Sequence, residues 1–370
     1  MALPPHELES YAFDLPERLI AQAPAEPRDA SRLLVLDRAA GSWSHRRFTD
    51  LPELLDARDL LVANNTRVLR ARLLGQRLRA EPDGREIEGG RVEFVLLEER
   101  APLRWEGLFH ASARYVPGLR FLIPTPDGQG LRGTLVRGSA DSPFGTVEAE
   151  FDRDPVASGA GELPLPHYIA RATSFRGSAP RSGDARDEEN YQTVYAKALG
   201  SAAAPTAGLH FTPRVLEALR GRGVGWGELT LHVGLGTFRP VKDADIRQHQ
   251  MHEERYEVSA ALAARVTAHR RGGGRVVAVG TTSARTLESA WGQPEGALTA
   301  GPGRTRIFIH PGGREFAMVD RMITNFHLPR SSLLMMVCAF AGRELVLNAY
   351  ADAIREGYRF YSFGDAMLIL

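Results

Sequence analysis

The chain has little of what usually announces a site. Its 370 residues include one cysteine, Cys338, which excludes a disulfide framework and any zinc or iron–sulfur centre built from several thiolates. Cys338 lies in the apolar run 333–340, so a buried, inert thiol is expected. Lysine occurs only at positions 197 and 242; the remaining basic residues are arginine, a bias that genome base composition explains as well as bidentate phosphate recognition does. No charge of one sign dominates. Lys plus Arg number 46 against 45 Asp plus Glu, a net charge of +1, so a nucleic-acid surface would have to be local. No run reaches the roughly 18 apolar residues of a membrane helix. The first residues show no basic region followed by an apolar stretch. A soluble, cytoplasmic monomer with no membrane contact is expected.

What is present is a globular composition, 43% hydrophobic and 25% charged. The length predicts two domains, or one large domain carrying an insertion. Residues 16–22 read as a short helix, and residues 32–37 and 60–63 as buried strands, the second running into Asn64, Asn65, Thr66 and Arg67. From Val68 to Phe151 short strands (91–97, 105–109, 119–123, 131–136, 146–151) alternate with Gly, Pro and Asp turns, a pattern of a small β-barrel or sandwich. Residues 159–186 read as a loop. Beyond it helices are expected over 189–199, 213–221, 260–271, 284–291, 331–341 and 343–356, and strands over 227–233, 275–279, 305–309 and 359–362.

Several segments carry candidate chemistry. The strand 276–279 enters Gly280, Thr281 and Thr282 and then a helix, an arrangement whose free N–H groups can hold an anion with help from Arg285; Ser283 and Gly280 are equally an ordinary cap and turn. In 201–212, Thr206, Gly208, His210 and Phe211 combine close backbone approach with an acid–base candidate. Thr212 before Pro213 is a plain helix start. His232 ends a strand before Gly234, Gly236 and Thr237; without a third glycine opening a helix this is no dinucleotide fingerprint. His249, His252 and Glu253 lack the spacing of a zinc motif, so no metal is expected, and His252 with Glu253 reads as a polar-substrate contact. Asn325 and His327 share one side of an extended segment. Arg67, Arg70 and Arg72, with Arg77, Arg79 and Arg85, form a stripe suited to RNA phosphate, although Glu81, Asp83 and Glu86 dilute it and a solvated face is equally in keeping with it.

Taken in order, these segments resemble the S-adenosylmethionine:tRNA ribosyltransferase-isomerase family of queuosine biosynthesis. The resemblance runs over essentially the whole chain. It begins with Phe13-Asp-Leu-Pro16 and Ser31-Arg-Leu-Leu-Val-Leu-Asp-Arg38 and continues through Asn64-Asn-Thr-Arg67 and Tyr191-Gln-Thr-Val-Tyr195. It is densest at Ala204-Pro-Thr-Ala-Gly-Leu-His-Phe-Thr212, Leu229-Thr-Leu-His-Val-Gly234, Gly280-Thr-Thr-Ser283, Thr324-Asn-Phe-His-Leu-Pro329 and Gly364-Asp-Ala-Met-Leu368. It departs at 109–115, at His167, and at apparent insertions over 80–87 and 174–184.

The resemblance implies a discontinuous large α/β domain (1–67 and 153–370) with an inserted small antiparallel β-barrel domain (68–152). It implies S-adenosylmethionine as ribosyl donor and, as acceptor, tRNA with a GUN anticodon carrying 7-aminomethyl-7-deazaguanine, with epoxyqueuosine formed, adenine and methionine released, and no obligate protein partner. On that reading His210 or His232 is the base, and Asn325, His327, His252 and Glu253 orient ribose or protonate the leaving adenine. Gly280 to Thr282 with Arg285 hold the methionine carboxylate, Phe211 or Phe238 stacks on adenine or deazaguanine, and Thr206, Gly208, Gly234, Gly236 and Thr237 line the pocket. Asn65, Arg67, Arg70 and Arg72 touch RNA.

Overall fold

The structure, a computed structural model, describes residues 3–111, 116–138, 145–165, 169, 185–234, 241–292 and 296–370. They divide into two compact units: Met1–Arg67 with Asn190–Ala198 and Ala204–Leu370, and Val68–Glu189 with Leu199–Ala203.

The first unit is built on nine strands: β1 (Arg32–Asp37), β2 (Ser42–Arg47), β3 (Asp59–Asn64), β4 (Gly225–Leu231), β5 (Glu254–Val258), β6 (Arg275–Val279), β7 (Gly301–Thr305), β8 (Arg321–Asn325) and β9 (Ala366–Ile369). Their order across the sheet is β7-β5-β4-β3-β6-β8-β9-β1-β2. The central strands are nearly all apolar because both faces are covered. In β3, Leu60 and Val62 enter one core and Leu61 and Ala63 the other, as side-chain alternation demands. The first core is filled from α2 (Ala260–Arg271), α3 (Thr281–Ala290), α4 (Ser332–Ala341) and α5 (Arg343–Arg355), the second from α1 (Pro213–Gly221) with Phe48 and Phe211. Each fully buried Leu or Val contributes roughly 1.5–3 kcal/mol. Helix starts follow the sequence: Thr212 Oγ1 accepts from the Val215 N–H at 3.3 Å, and Ser331 Oγ from the Leu334 N–H at 3.2 Å.

Four neighbouring strands, β4, β3, β6 and β8, are parallel. Their carboxyl ends, Leu231, Asn64, Val279 and Asn325, therefore meet at one edge of the sheet. At the opposite edge fully buried Asp59 accepts from Arg275 at 2.8 Å and from Arg321 at 3.1 Å. One end of the sheet is locked by ion pairs while the other holds uncharged polar groups.

The second unit is a separate six-strand antiparallel sheet. Arg72–Ala80, Glu86–Ala101, Arg104–Ala111 and Val147–Phe151 pair in succession. Arg120–Ile123 and Leu131–Arg137 run between the first and last of these, which closes the ring of ladders. Phe94, Phe109, Phe121 and Phe151 pack inside. Gly133 is required there, since a Cβ would meet the Phe121 ring at 2.2 Å.

Four expectations are corrected. Residues 189–199 are not a helix; a helix ends at Asn190. Tyr191 and Tyr195 imitate a helical stripe, but the Gln192 carbonyl accepts from Arg28 at 2.6 Å, and the Lys197 and Ala198 N–H groups donate to the Asn65 carbonyl, which takes this backbone out of a helical ladder. The strand expected over 305–309 lies instead at β7, an edge position that tolerates Pro302. Residues 359–362 form a tight loop, with Tyr361 at φ +76° and the Arg359 N–H bound to Asp365 at 2.8 Å; the strand follows as β9. The second unit runs beyond residue 152 to Glu189, because the backbones of Glu162 and Arg72 exchange hydrogen bonds at 2.8 and 3.0 Å.

Candidate active site

The carboxyl ends of the parallel strands carry the polar groups of a site, as the topology of such sheets favours. At the end of β3, Asn64 is fully buried. Its Oδ1 accepts from the Thr66 and Leu231 N–H groups at 3.1 and 3.0 Å, and its Nδ2 donates to the Leu231 carbonyl at 2.9 Å and to Thr282 Oγ1 at 3.4 Å. One amide thus ties β3, β4 and the start of α3. Ahead of α3, Gly280 has φ +88°, a conformation that favours glycine, and its turn presents the N–H groups of Thr281 and Thr282, which have no partner within the helix.

Residues Thr206–His210 form a 3₁₀ turn against the end of β8. His210 is 4% exposed and stacked on Phe48 at 5.1 Å. Its Nδ1 lies 2.8 Å from Ser31 Oγ, and its Nε2 lies 3.1 Å from Asn325 Nδ2. Asn325 Oδ1 in turn accepts from Thr206 Oγ1 at 3.0 Å. Burial, aided by the Arg359 charge, pushes the His210 imidazole down to about 3. His327 Nε2 lies 2.8 Å from Thr324 Oγ1, and its backbone N–H donates to the Tyr350 hydroxyl at 3.1 Å. Burial alone pushes that imidazole down to about 3. Both rings are neutral at physiological pH.

These groups enclose a cavity. Ala204 to Ala207 form one wall, Gly280 to Thr282 another, and Thr324, Asn325 and His327 a third, with Val233, Leu333, Tyr361 and Ser362 completing it. Of the residues expected at the site, it brings together Thr206, Gly280, Thr281, Thr282, Asn325 and His327. His210 sits one hydrogen bond behind it. Gly208 faces the Tyr195 ring, where a Cβ would meet the hydroxyl at 2.0 Å. Phe211 is fully buried against Phe48 and Trp226, so it packs the core rather than stacking on a ligand.

Arg285 also departs from expectation. It is 1% exposed and forms an ion pair with Glu254, itself 3% exposed, while its Nη2 has no partner. Glu254 Oε1 further accepts from the Gly234 N–H at 3.1 Å. The guanidinium charge is therefore met inside the protein. Glu253, one residue earlier, points outward to Arg304 and Arg306 at 2.9 and 3.1 Å. His252 is half-buried beside it. His232 Nδ1 lies 2.9 Å from Thr66 Oγ1. Gly236, Thr237 and Phe238 lie outside the described residues, as do 112–115, His167 and 174–184.

Of the four residues expected to touch RNA, Arg67 and Arg70 are exposed, Arg70 pairing with Glu188. Asn65 spends its amide on Glu228 at 3.3 Å and Thr230 at 2.8 Å. Arg72 is half-buried between Glu93 and Glu162. Sequence reasoning overlooked Ser31, Thr324, Tyr361 and Glu254 as site or support residues. Ser31 and Thr324 stand within the motifs quoted above, and Glu254, the first residue of β5, is buried where Glu253 just ahead of the strand is exposed. Among the described residues no group of three or more His, Cys, Asp and Glu is placed to hold a metal ion.

Comparison with known proteins points in one direction. A family model described as queuosine biosynthesis protein matches residues 8–369. A protein of Anaeromyxobacter dehalogenans named S-adenosylmethionine:tRNA ribosyltransferase-isomerase is 50% identical over 374 residues, covering 98% of this chain and 99% of the relative. One of the same name from Symbiobacterium thermophilum is 48% identical over 365 residues, covering 98% and 99%. A crystal structure of S-adenosylmethionine tRNA ribosyltransferase from Thermotoga maritima is 34% identical, with a TM-score of 0.53 over 97% of this chain and 99% of that one.

Proposed function

This chain belongs to the queuosine biosynthesis protein family, and we propose that it is an S-adenosylmethionine:tRNA ribosyltransferase-isomerase. It moves and rearranges the ribosyl unit of S-adenosylmethionine onto the aminomethyl nitrogen of 7-aminomethyl-7-deazaguanine at the tRNA wobble position, in tRNAs with a GUN anticodon. After the proton beside sulfur is removed, the ribose ring opens, the amine adds to form the new C–N bond, and the five carbons close through a C–C bond into a ring that carries the epoxide; the glycosidic C–N and the C–S bonds break, and adenine and methionine leave as epoxyqueuosine forms. The observation that carries this reading is the cavity. Four of the densest family motifs contribute to its walls: Ala204 to Thr212, Leu229 to Gly234, Gly280 to Ser283 and Thr324 to Pro329.

The cavity suits a sulfonium substrate bearing an amino-acid carboxylate. The unpaired N–H groups at the start of α3 provide for the carboxylate, and no carboxylate side chain is among the lining residues. With Arg285 occupied by Glu254, the helix terminus takes the larger share of that role. Asn325 and Thr206 supply the donors and acceptors that a ribose requires. A base must remove a proton from the carbon beside sulfur. His327 is the histidine that lines the cavity; its neutral form accepts a proton, and its Nδ1 has no hydrogen-bond partner among the described residues. His232, linked to Thr66, is the alternative base. Exposed Arg67 supports contact with the tRNA backbone.

The decisive assay mixes the protein, S-adenosylmethionine and tRNA carrying 7-aminomethyl-7-deazaguanine. Equimolar adenine and methionine with a mass gain on the modified base are expected. S-adenosylhomocysteine with a methylated nucleotide would replace this reading by methyl transfer, and binding without turnover would replace it by an RNA-binding role.

A further inference from the structure

The buried chain Ser31–His210–Asn325–Thr206 contains an imidazole that is not a lining group of the cavity. Asn325 and Thr206 do line it. Each ring nitrogen of His210 has one partner: Ser31 Oγ at 2.8 Å and Asn325 Nδ2 at 3.1 Å. An amide N–H can only donate, so Nε2 is the accepting nitrogen of a neutral ring and the ring proton sits on Nδ1, directed at Ser31. This tautomer dictates which way the Asn325 amide is turned. Oδ1 faces Thr206, and the second N–H of Nδ2 has no partner among the described residues.

We propose that His210 is a positioning residue for the reaction, fixing the Asn325 amide so that its remaining N–H addresses an acceptor oxygen of the ribosyl donor. The inference rests on the proposed ribosyl-transfer reading and assigns His210 a role other than base. The opposite tautomer would place an N–H against the amide nitrogen. Asn325 would then have to turn over, presenting an oxygen where the substrate needs a donor. Phe48 stacked on one face and the burial of Ser31 hold the ring in plane. The depressed ionisation of the ring supports the assignment, because a doubly protonated imidazole could not accept from Asn325.

The test is a double-mutant cycle read by adenine release. His210→Ala and Asn325→Ala should each lower kcat by roughly 100-fold, the usual cost of a misplaced reacting group, with a smaller change in KM for S-adenosylmethionine. The double variant should be no slower than Asn325→Ala alone, since both remove one device. His210→Gln, whose amide can donate to Ser31 and accept from Asn325, should recover most of the loss and keep the acid limb of the kcat/KM profile in place. Thermal unfolding of each variant accompanies the kinetics, and Ser31→Ala, a smaller change in the same chain, stands in if His210→Ala does not fold. Losses that add in the double variant overturn the inference, as does disappearance of the acid limb in His210→Gln, which would make His210 the base. Absence of adenine release from the wild-type protein overturns the ribosyl-transfer reading itself, and the inference with it.

Discussion

Replacing Glu254 by Gln removes one negative charge and almost no volume. The partner left behind, Arg285, is 1% exposed and already has one unpaired nitrogen. Water cannot reach the guanidinium to compensate, so the cost is that of stranding a buried charge, about 3–5 kcal/mol. Glutamine still accepts from the Gly234 N–H, which leaves the lost charge as the main change. Set against a typical total of about 5–15 kcal/mol, the substitution should lower the unfolding temperature on the order of 10 °C. Urea unfolding followed by tryptophan fluorescence reads the change, since Trp43, Trp226 and Trp291 all lie in the first unit. Glu253→Gln is the internal control. Its pairs with Arg304 and Arg306 are solvent-exposed and worth about 0–1 kcal/mol. Removing both charges, as Glu254→Leu with Arg285→Met, should cost less than Glu254→Gln alone. Equal, small effects of Glu253→Gln and Glu254→Gln would refute the claim that desolvation governs this pair.

Two further outcomes are expected. His210 and His327 ionise near 6.5 when unfolded and near 3 when folded, so between those values the unfolded chain binds more protons. Stability should therefore be full above about pH 6.5 and fall by about 1.4 kcal/mol per histidine for each pH unit below it; urea midpoints at pH 7.5, 6 and 5 check this, and a flat profile for the wild type, or an unchanged slope in His327→Gln, would contradict it. Gly280→Ala meets Ala207 only at 3.4 Å but must hold φ +88° with ψ 158°, a strain of about 1–3 kcal/mol. Relaxing that strain moves the start of α3, so KM for S-adenosylmethionine should rise more than kcat falls, and an unaltered KM would count against the turn as the carboxylate site.

Much of the first unit was legible because its strands are apolar on both faces and its helices start on ordinary caps: β1, β6, α1 and α2 lie where periodicity put them. Strand β2 was not, since all six of its residues are polar or half-exposed on an edge and carry no apolar alternation. The strand Arg72–Ala80 was masked by its arginines, which read as a charged stripe while Leu73 and Leu78 faced inward. The cavity walls were legible as motifs. Their supports were less so: Ser31 acts 179 residues from His210, and no local pattern reports such a contact. That the Arg285 charge is already met was hidden for a related reason: Arg285 lies on α3 and its partner Glu254 on β5, and only the fold brings them together.

The parallel strand ends that carry the cavity come from distant parts of the chain: Asn64 and Thr282 are 218 residues apart, and His210 and Asn325 are 115 apart. In a polypeptide emerging from the ribosome the proposed cradle for the ribosyl donor is consequently absent until β8 has joined the sheet and the loop that carries Tyr361 has formed, both late in the sequence. The small-molecule substrate then recognises only the finished product of folding. Its effect on a folding experiment should appear as slower unfolding, with the rate of refolding left almost untouched.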